Sequence, residues 1–77
     1  MELKAIREQI DQIDRELTRL FEERMRLAAE VAQYKRSNNL PIFDNTREQQ
    51  VLRQCAEYLQ DKSLQSKLQQ FFRELMR

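Results

Sequence analysis

Arg24 and Lys35 occupy positions where a long apolar stripe would otherwise carry aliphatic side chains. At ~100° per residue, Ile6, Ile10, Ile13, Leu17, Leu20, Leu27, Ala28 and Val31 all fall within ~60° of Arg24 on a helical wheel, and Lys35 lies ~20° away. Both cations therefore face the apolar side of one helix. Burying a cation costs several kcal/mol unless an anion meets it. No carboxylate of this first segment lies at the centre of the stripe, so an acidic partner from outside is implied. The two Cα atoms are ~16 Å apart along the axis, and two long side chains leaning toward each other can bracket a compact anion. The competing reading is that each cation snorkels to water at the edge of the core.

Glu48 repeats the anomaly on a second helical stripe, ~40° from Leu52 and in line with Cys55 and Leu59. An ordinary explanation exists: Asn45 and Glu48 have the spacing of a capping box, worth about 1 kcal/mol. Asp44 can likewise be a plain helix cap. Arg47, three residues from Asp44, is near enough for a local ion pair and shares a direction with Val51 and Tyr58, so it can also be a surface residue. Arg7 lies ~100° from the Arg24 direction and ~25 Å away along the same rod. It cannot reach a ligand held at Arg24 of its own chain. In an antiparallel pair of such rods, Arg7 of one copy approaches the Arg24 to Lys35 region of the other, which makes two equivalent sites.

Composition narrows the class. The chain has 77 residues, no Gly, one Pro, and 35% charged residues, the profile of a mostly helical single domain over residues 1–77. A domain of this size is marginal alone, and oligomerisation is the usual remedy when neither disulfide nor metal helps. Cys55 has no second cysteine to pair with, and there is no His and no cluster with metal-ligand spacing. A reducing, cytoplasmic setting is the default for such a chain. Fourteen basic and 13 acidic residues give +1, without the basic excess of a nucleic-acid module. No run approaches the ~20 apolar residues of a membrane span, and residues 1 to 20 do not resemble a signal peptide.

The elements that must position these side chains follow from periodicity. Leu3 to Arg36 carries the 4-3 spacing of one uninterrupted amphipathic helix, ~45 to 50 Å long. The rest of a small chain cannot cover such a rod, so most of its stripe calls for a second molecule. Ser37, Asn38, Asn39, Leu40 and Pro41 break it. A second helix is expected from about Thr46 to Gln60, capped by Asp44 or Asn45, with Leu52, Cys55, Ala56 and Leu59 on its apolar face. Asp61, Lys62 and Ser63 form a short break with Ser63 as the expected cap. Leu64, Leu68, Phe71, Phe72 and Leu75 then mark a third helix that runs to the end of the chain.

Ile6-Arg7-Glu8, Glu23-Arg24 followed by Leu27-Ala28, Lys35, Pro41-Ile42-Phe43-Asp44 and Arg47-Glu48 closely resemble the all-helical chorismate mutase family. The resemblance spans roughly residues 3 to 60 without a gap. It implies an all-α fold of one long and two shorter helices per chain, intertwined with a second copy as a homodimer whose active sites are shared between chains. It implies an isomerase that converts chorismate to prephenate by a pericyclic Claisen rearrangement in phenylalanine and tyrosine biosynthesis, with no cofactor and no covalent intermediate. By position, Arg24 and Arg7 of the partner subunit would pair with the two substrate carboxylates, and Lys35 would serve a carboxylate and the ether oxygen. Glu48 and the backbone at Asp44 would hold the ring hydroxyl, with Arg47 supporting that end of the site.

This agrees with the residue chemistry, because a dicarboxylate with a hydroxyl offers what two inward arginines, a lysine and a glutamate need. One departure stands out. The family's third helix supplies a hydroxyl residue and, about one turn later, a Gln or Glu at the ether oxygen, and both align beyond Arg77. The 77 residues are therefore expected to be a fragment cut short in the third helix, where Phe71, Phe72, Leu75 and Met76 still read as mid-helix. Two alternatives compete: an isochorismate-pyruvate lyase of the same fold, disfavoured by the Asp44-x-x-Arg47-Glu48 motif, and a non-catalytic dimerisation module in which Arg24 and Lys35 only set register.

Overall fold

The computed structural model describes residues 2–77. Three α-helices follow in order, α1 (Leu3–Ser37), α2 (Asn45–Tyr58) and α3 (Gln65–Met76), with a 3₁₀ turn at Lys62–Leu64 leading into α3. No strand occurs among the described residues, so the chain is all-α, with one long and two shorter helices as the periodicity implies. It divides into two compact units, Met1–Ile42 and Phe43–Arg77.

The first unit is built on α1, whose 35 residues extend about 52 Å at 1.5 Å each. Nothing within Leu3–Ser37 breaks the ladder, and exposed pairs such as Arg19 with Glu16 (3.1 Å) and Glu23 (3.5 Å) brace its polar face. Its apolar stripe is open: Ile13, Leu17, Leu20 and Val31 are each about half exposed or more. The helix ends in a Schellman motif. Asn39 adopts a left-handed backbone (φ 55°), the Leu40 N–H donates to the Lys35 carbonyl at 2.8 Å, and the Asn39 N–H donates to the Arg36 carbonyl at 3.4 Å. The Asn38 side chain also donates to the Tyr34 carbonyl at 2.8 Å, and Pro41 prevents any resumption of the helix.

The second unit holds the only buried apolar side chains among the described residues, Val51, Leu52 and Ala56 of α2. Leu68, Phe72 and Leu75 of α3 and Cys55 and Leu59 of the α2 segment are half-buried. Gln69 Nε2 donates to the Leu52 carbonyl at 3.4 Å and ties α3 to α2.

Of the two cap candidates for α2 the structure selects Asp44: its carboxylate accepts the Arg47 N–H at 3.0 Å, and Asn45 is already helical. Two local expectations require correction. The helix stops at Tyr58 instead of Gln60, because Leu59 turns extended and Lys62 Nζ donates to the Ala56 and Glu57 carbonyls at 2.8 and 3.3 Å. A cation on the last carbonyls of a helix satisfies acceptors there and favours the negative end of the helix dipole. Ser63 does not cap α3. Asp61 Oδ1 accepts from both the Ser63 N–H (3.0 Å) and the Ser63 hydroxyl (2.6 Å), which organises the 3₁₀ turn, so α3 starts at Gln65. Aspartate outcompetes serine because an ionised carboxylate is the stronger acceptor.

The Ser63 hydroxyl, and next its N–H, hold the Asp61 carboxyl below its ordinary range. A lowered folded-state pKa means that this cap stabilises fully above the ordinary carboxylate pKa and loses its effect as pH falls through the lowered value. Thermal unfolding of wild type and Asp61→Ala from neutral to acid pH should therefore show the variant less stable at pH 7, with the two midpoints converging in acid. A constant difference across that range would contradict the assignment.

Candidate active site

Of all the charged residues described, only Arg24, Lys35 and Glu48 are half-buried; every other Lys, Arg, Asp and Glu is exposed. These are the three that the wheel geometry sets inward. The helix periodicity thus places Arg24 and Lys35 on one line of α1, and α2 places Glu48 in its first turn, four residues before the buried Leu52.

At the start of α2 the motif residues come together through the backbone. The Asp44 carbonyl accepts the Glu48 N–H at 3.1 Å while its carboxylate takes the Arg47 N–H. The anticipated local ion pair between Asp44 and Arg47 is replaced by this backbone bond, and Arg47 Nη1 donates to Gln50 Oε1 at 2.9 Å. Because the cap sits at Asp44, Glu48 is one residue too far along to close a capping box with it. The ordinary explanation for a glutamate at that position is removed. The positive end of the helix macrodipole still favours its charge there.

Lys35 makes a contact that the sequence pattern does not anticipate. Its Nζ donates to the Ile42 carbonyl at 3.2 Å, across the turn that follows α1. Asn39 and Pro41 were legible as helix breakers, but nothing in their spacing says which carbonyl they aim at the ammonium. Arg7 is exposed on α1, seventeen residues before Arg24, and the two do not meet within one chain. Another stretch of the same helix, lined by Gln9, Gln12, Ile13, Glu16, Leu17 and Leu20, is a shallow, largely apolar surface with Glu16 as its one titratable group.

The first unit thus offers one half-buried guanidinium and one half-buried ammonium, and the second unit one half-buried carboxylate. Guanidinium and ammonium groups pair with anions, and a carboxylate accepts from a hydroxyl. None of the three is a nucleophile paired with a base. Comparison with known proteins decides the lineage, since the model of the chorismate mutase type II family matches residues 6–77.

The chain belongs to the chorismate mutase type II family. Among individual proteins, it is 34% identical over 76 residues to a chorismate mutase of Methanocaldococcus jannaschii, covering 94% of this chain and 77% of that one. It is 44% identical over 50 residues to a bifunctional chorismate mutase/prephenate dehydratase of Aquifex aeolicus, covering 65% of this chain and 14% of the relative. A 3-dehydroquinate dehydratase of Pyrobaculum aerophilum is 36% identical over 58 residues, covering 75% and 19% respectively. The chain thus spans less than a fifth of the length of those two longer relatives. No solved structure gives a significant match. The family match extends past residue 60, where the resemblance read from motifs stops, and takes in α3.

Within this chorismate mutase type II chain, the Asp44 cap predicts a stability effect separable from chemistry. Asp44→Ala should cost about 1 kcal/mol in urea unfolding, and Asp44→Asn much less, since Asn caps nearly as well. Equal losses for both variants would show that the cap is not what the carboxylate supplies.

Proposed function

We propose that this chain is a single chorismate mutase domain over residues 1–77 that catalyses the rearrangement of chorismate to prephenate in phenylalanine and tyrosine biosynthesis. It acts in the cytoplasm, without a cofactor, as a homodimer with active sites shared between chains. The observation that carries the reading is the selective half-burial of Arg24, Lys35 and Glu48 in a member of this family. Arg24 and Arg7 of the partner subunit pair with the two carboxylates of the substrate, and guanidinium forks match them bidentately. Lys35 serves a carboxylate and the ether oxygen. Glu48 and the backbone at Asp44 hold the ring hydroxyl, and Arg47 supports that end.

The open stripe of α1 supports the dimer. An exposed apolar surface of this extent marks an association site, and an antiparallel copy is the arrangement that carries Arg7 to the region it cannot reach in its own chain. Because the reaction is unimolecular and forms no covalent intermediate, rate enhancement comes from two sources. Paired cations hold the flexible dicarboxylate in its reactive chair-like geometry, and a fixed ammonium meets the oxygen that gains charge as its bond to carbon breaks.

Incubation with chorismate should yield prephenate, and incubation with isochorismate should yield no pyruvate. Pyruvate release without prephenate would reassign the chain to the lyase of the same fold. Absence of turnover, together with no thermal stabilisation by a dicarboxylic transition-state analogue, would leave only a scaffold.

Arg7→Ala and Arg24→Ala should each lower kcat/KM by about two to three orders of magnitude. Equal mixing followed by subunit exchange should restore about a quarter of wild-type activity, since half of the dimers are mixed and each mixed dimer has one intact site of two. No recovery after demonstrated exchange would remove the shared-site arrangement.

A further inference from the structure

We propose that the backbone carbonyl of Ile42 is a positioning group for the Lys35 ammonium, set in place by the left-handed Asn39 and by Pro41; this inference rests on the mutase reading of Lys35. A lysine is a point charge on a flexible stem with three N–H donors, and it lacks the built-in directionality of a guanidinium. Something else must orient it if one donor is to meet one particular oxygen.

Lys35 is clamped to the turn twice. Its carbonyl accepts the Leu40 N–H at 2.8 Å and its Nζ donates to the Ile42 carbonyl at 3.2 Å. The reversal between them requires the positive φ of Asn39, which most residues with a Cβ resist, and Pro41 fixes its own φ near −65°. The main chain of residues 39–42 is therefore shaped by local constraints, and the ammonium is tethered to it.

The donor count then closes. Ile42 takes one of the three N–H groups, and the proposed chemistry asks for two more, one to a carboxylate and one to the ether oxygen. The bond is open to water in the free chain and adds little stability there. Once a ligand excludes water, the same bond decides where the remaining two donors point. If the Ile42 acceptor is weakened, the ammonium swings toward the carboxylate, the stronger acceptor in both ground and transition states. The ether oxygen gains charge only in the transition state, so it is the contact that suffers. The signature is a fall in kcat with KM nearly constant.

The test uses the full 77-residue chain made by chemical synthesis, with the Ile42–Phe43 peptide bond replaced by an ester. The ester carbonyl is a poorer acceptor, and every side chain is retained. Expected is a kcat roughly five- to tenfold lower, with KM within about twofold of wild type. An ester at Gln60–Asp61, where neither the Gln60 carbonyl nor the Asp61 N–H makes a backbone hydrogen bond to another described residue, should leave both parameters unchanged. Asn39→Val should lower kcat in the same sense, and Asn39→Gly, which accepts a positive φ freely, should retain it.

A scalar coupling across the hydrogen bond, between ¹⁵Nζ of Lys35 and the ¹³C carbonyl of Ile42, should be present in the ligand-free protein. Wild-type turnover with an unchanged Ile42–Phe43 ester overturns this inference alone, as does absence of the coupling. A wild type that converts no chorismate overturns the mutase reading, and this inference with it.

Discussion

An amphipathic helix that one chain cannot cover is the constraint on which the rest of this protein depends. α1 extends 35 residues without a break, yet the buried apolar side chains among the described residues are three, all on α2. Burial of apolar surface is the main favourable term in folding, at about 25 cal/mol per Å², and conformational entropy opposes it at every ordered residue. With Ile13, Leu17 and Val31 more than half exposed, most of that term is not collected on α1 of the single chain. In the dimer we propose, folding and site assembly become one event, because the surface that stabilises the helix is also the surface that carries Arg24 and Lys35.

The same constraint bears on why the charged side chains of the site we propose are carried by helices. A helix fixes Cβ directions to within the scatter of its backbone, so an ion placed on the apolar line is held where it cannot relax freely into water. For an isolated cation that placement is destabilising. For a chain whose ligand carries two carboxylates it is preorganisation, since the charges are aligned before binding. Arginine suits the positions that recognise carboxylates as planar groups. Lysine suits the position where a compact positive charge must sit beside a single oxygen.

Much of the fold was legible in the sequence because it rests on long, periodic signals. The helical identity of α1, α2 and α3 and the break at residues 37–41 follow from stripe spacing and from Pro41, and the half-burial of Arg24, Lys35 and Glu48 follows from the same wheel. What the sequence leaves open or misplaces lies at element ends, where a single hydrogen bond decides between neighbours. Asp44 wins over Asn45, and Asp61 over Ser63, through carboxylate acceptors in positions that the spacing leaves open. Lys62 ends α2 early by reaching back six residues to the Ala56 carbonyl, a contact with no periodic signature. Of the candidate site, the residue types and their faces were readable. The Ile42 carbonyl at Lys35 was not, because backbone groups carry no sequence identity.

The turn after α1 links these levels. Its hydrogen bonds are local: Asn38 to Tyr34, Asn39 to Arg36, Leu40 to Lys35, and Lys35 to Ile42. Each closes within seven residues, so the geometry that orients the ammonium is specified by the chain's own short-range chemistry. Long-range packing can be lost and regained during association without that local arrangement being rebuilt, since short loops close fast and at small entropic cost. In the site we propose, with arginines from two subunits, the most orientation-sensitive cation is then fixed within one of them. Only the carboxylate-binding groups, which tolerate small displacements because they pair through forked contacts, are left to the accuracy of assembly.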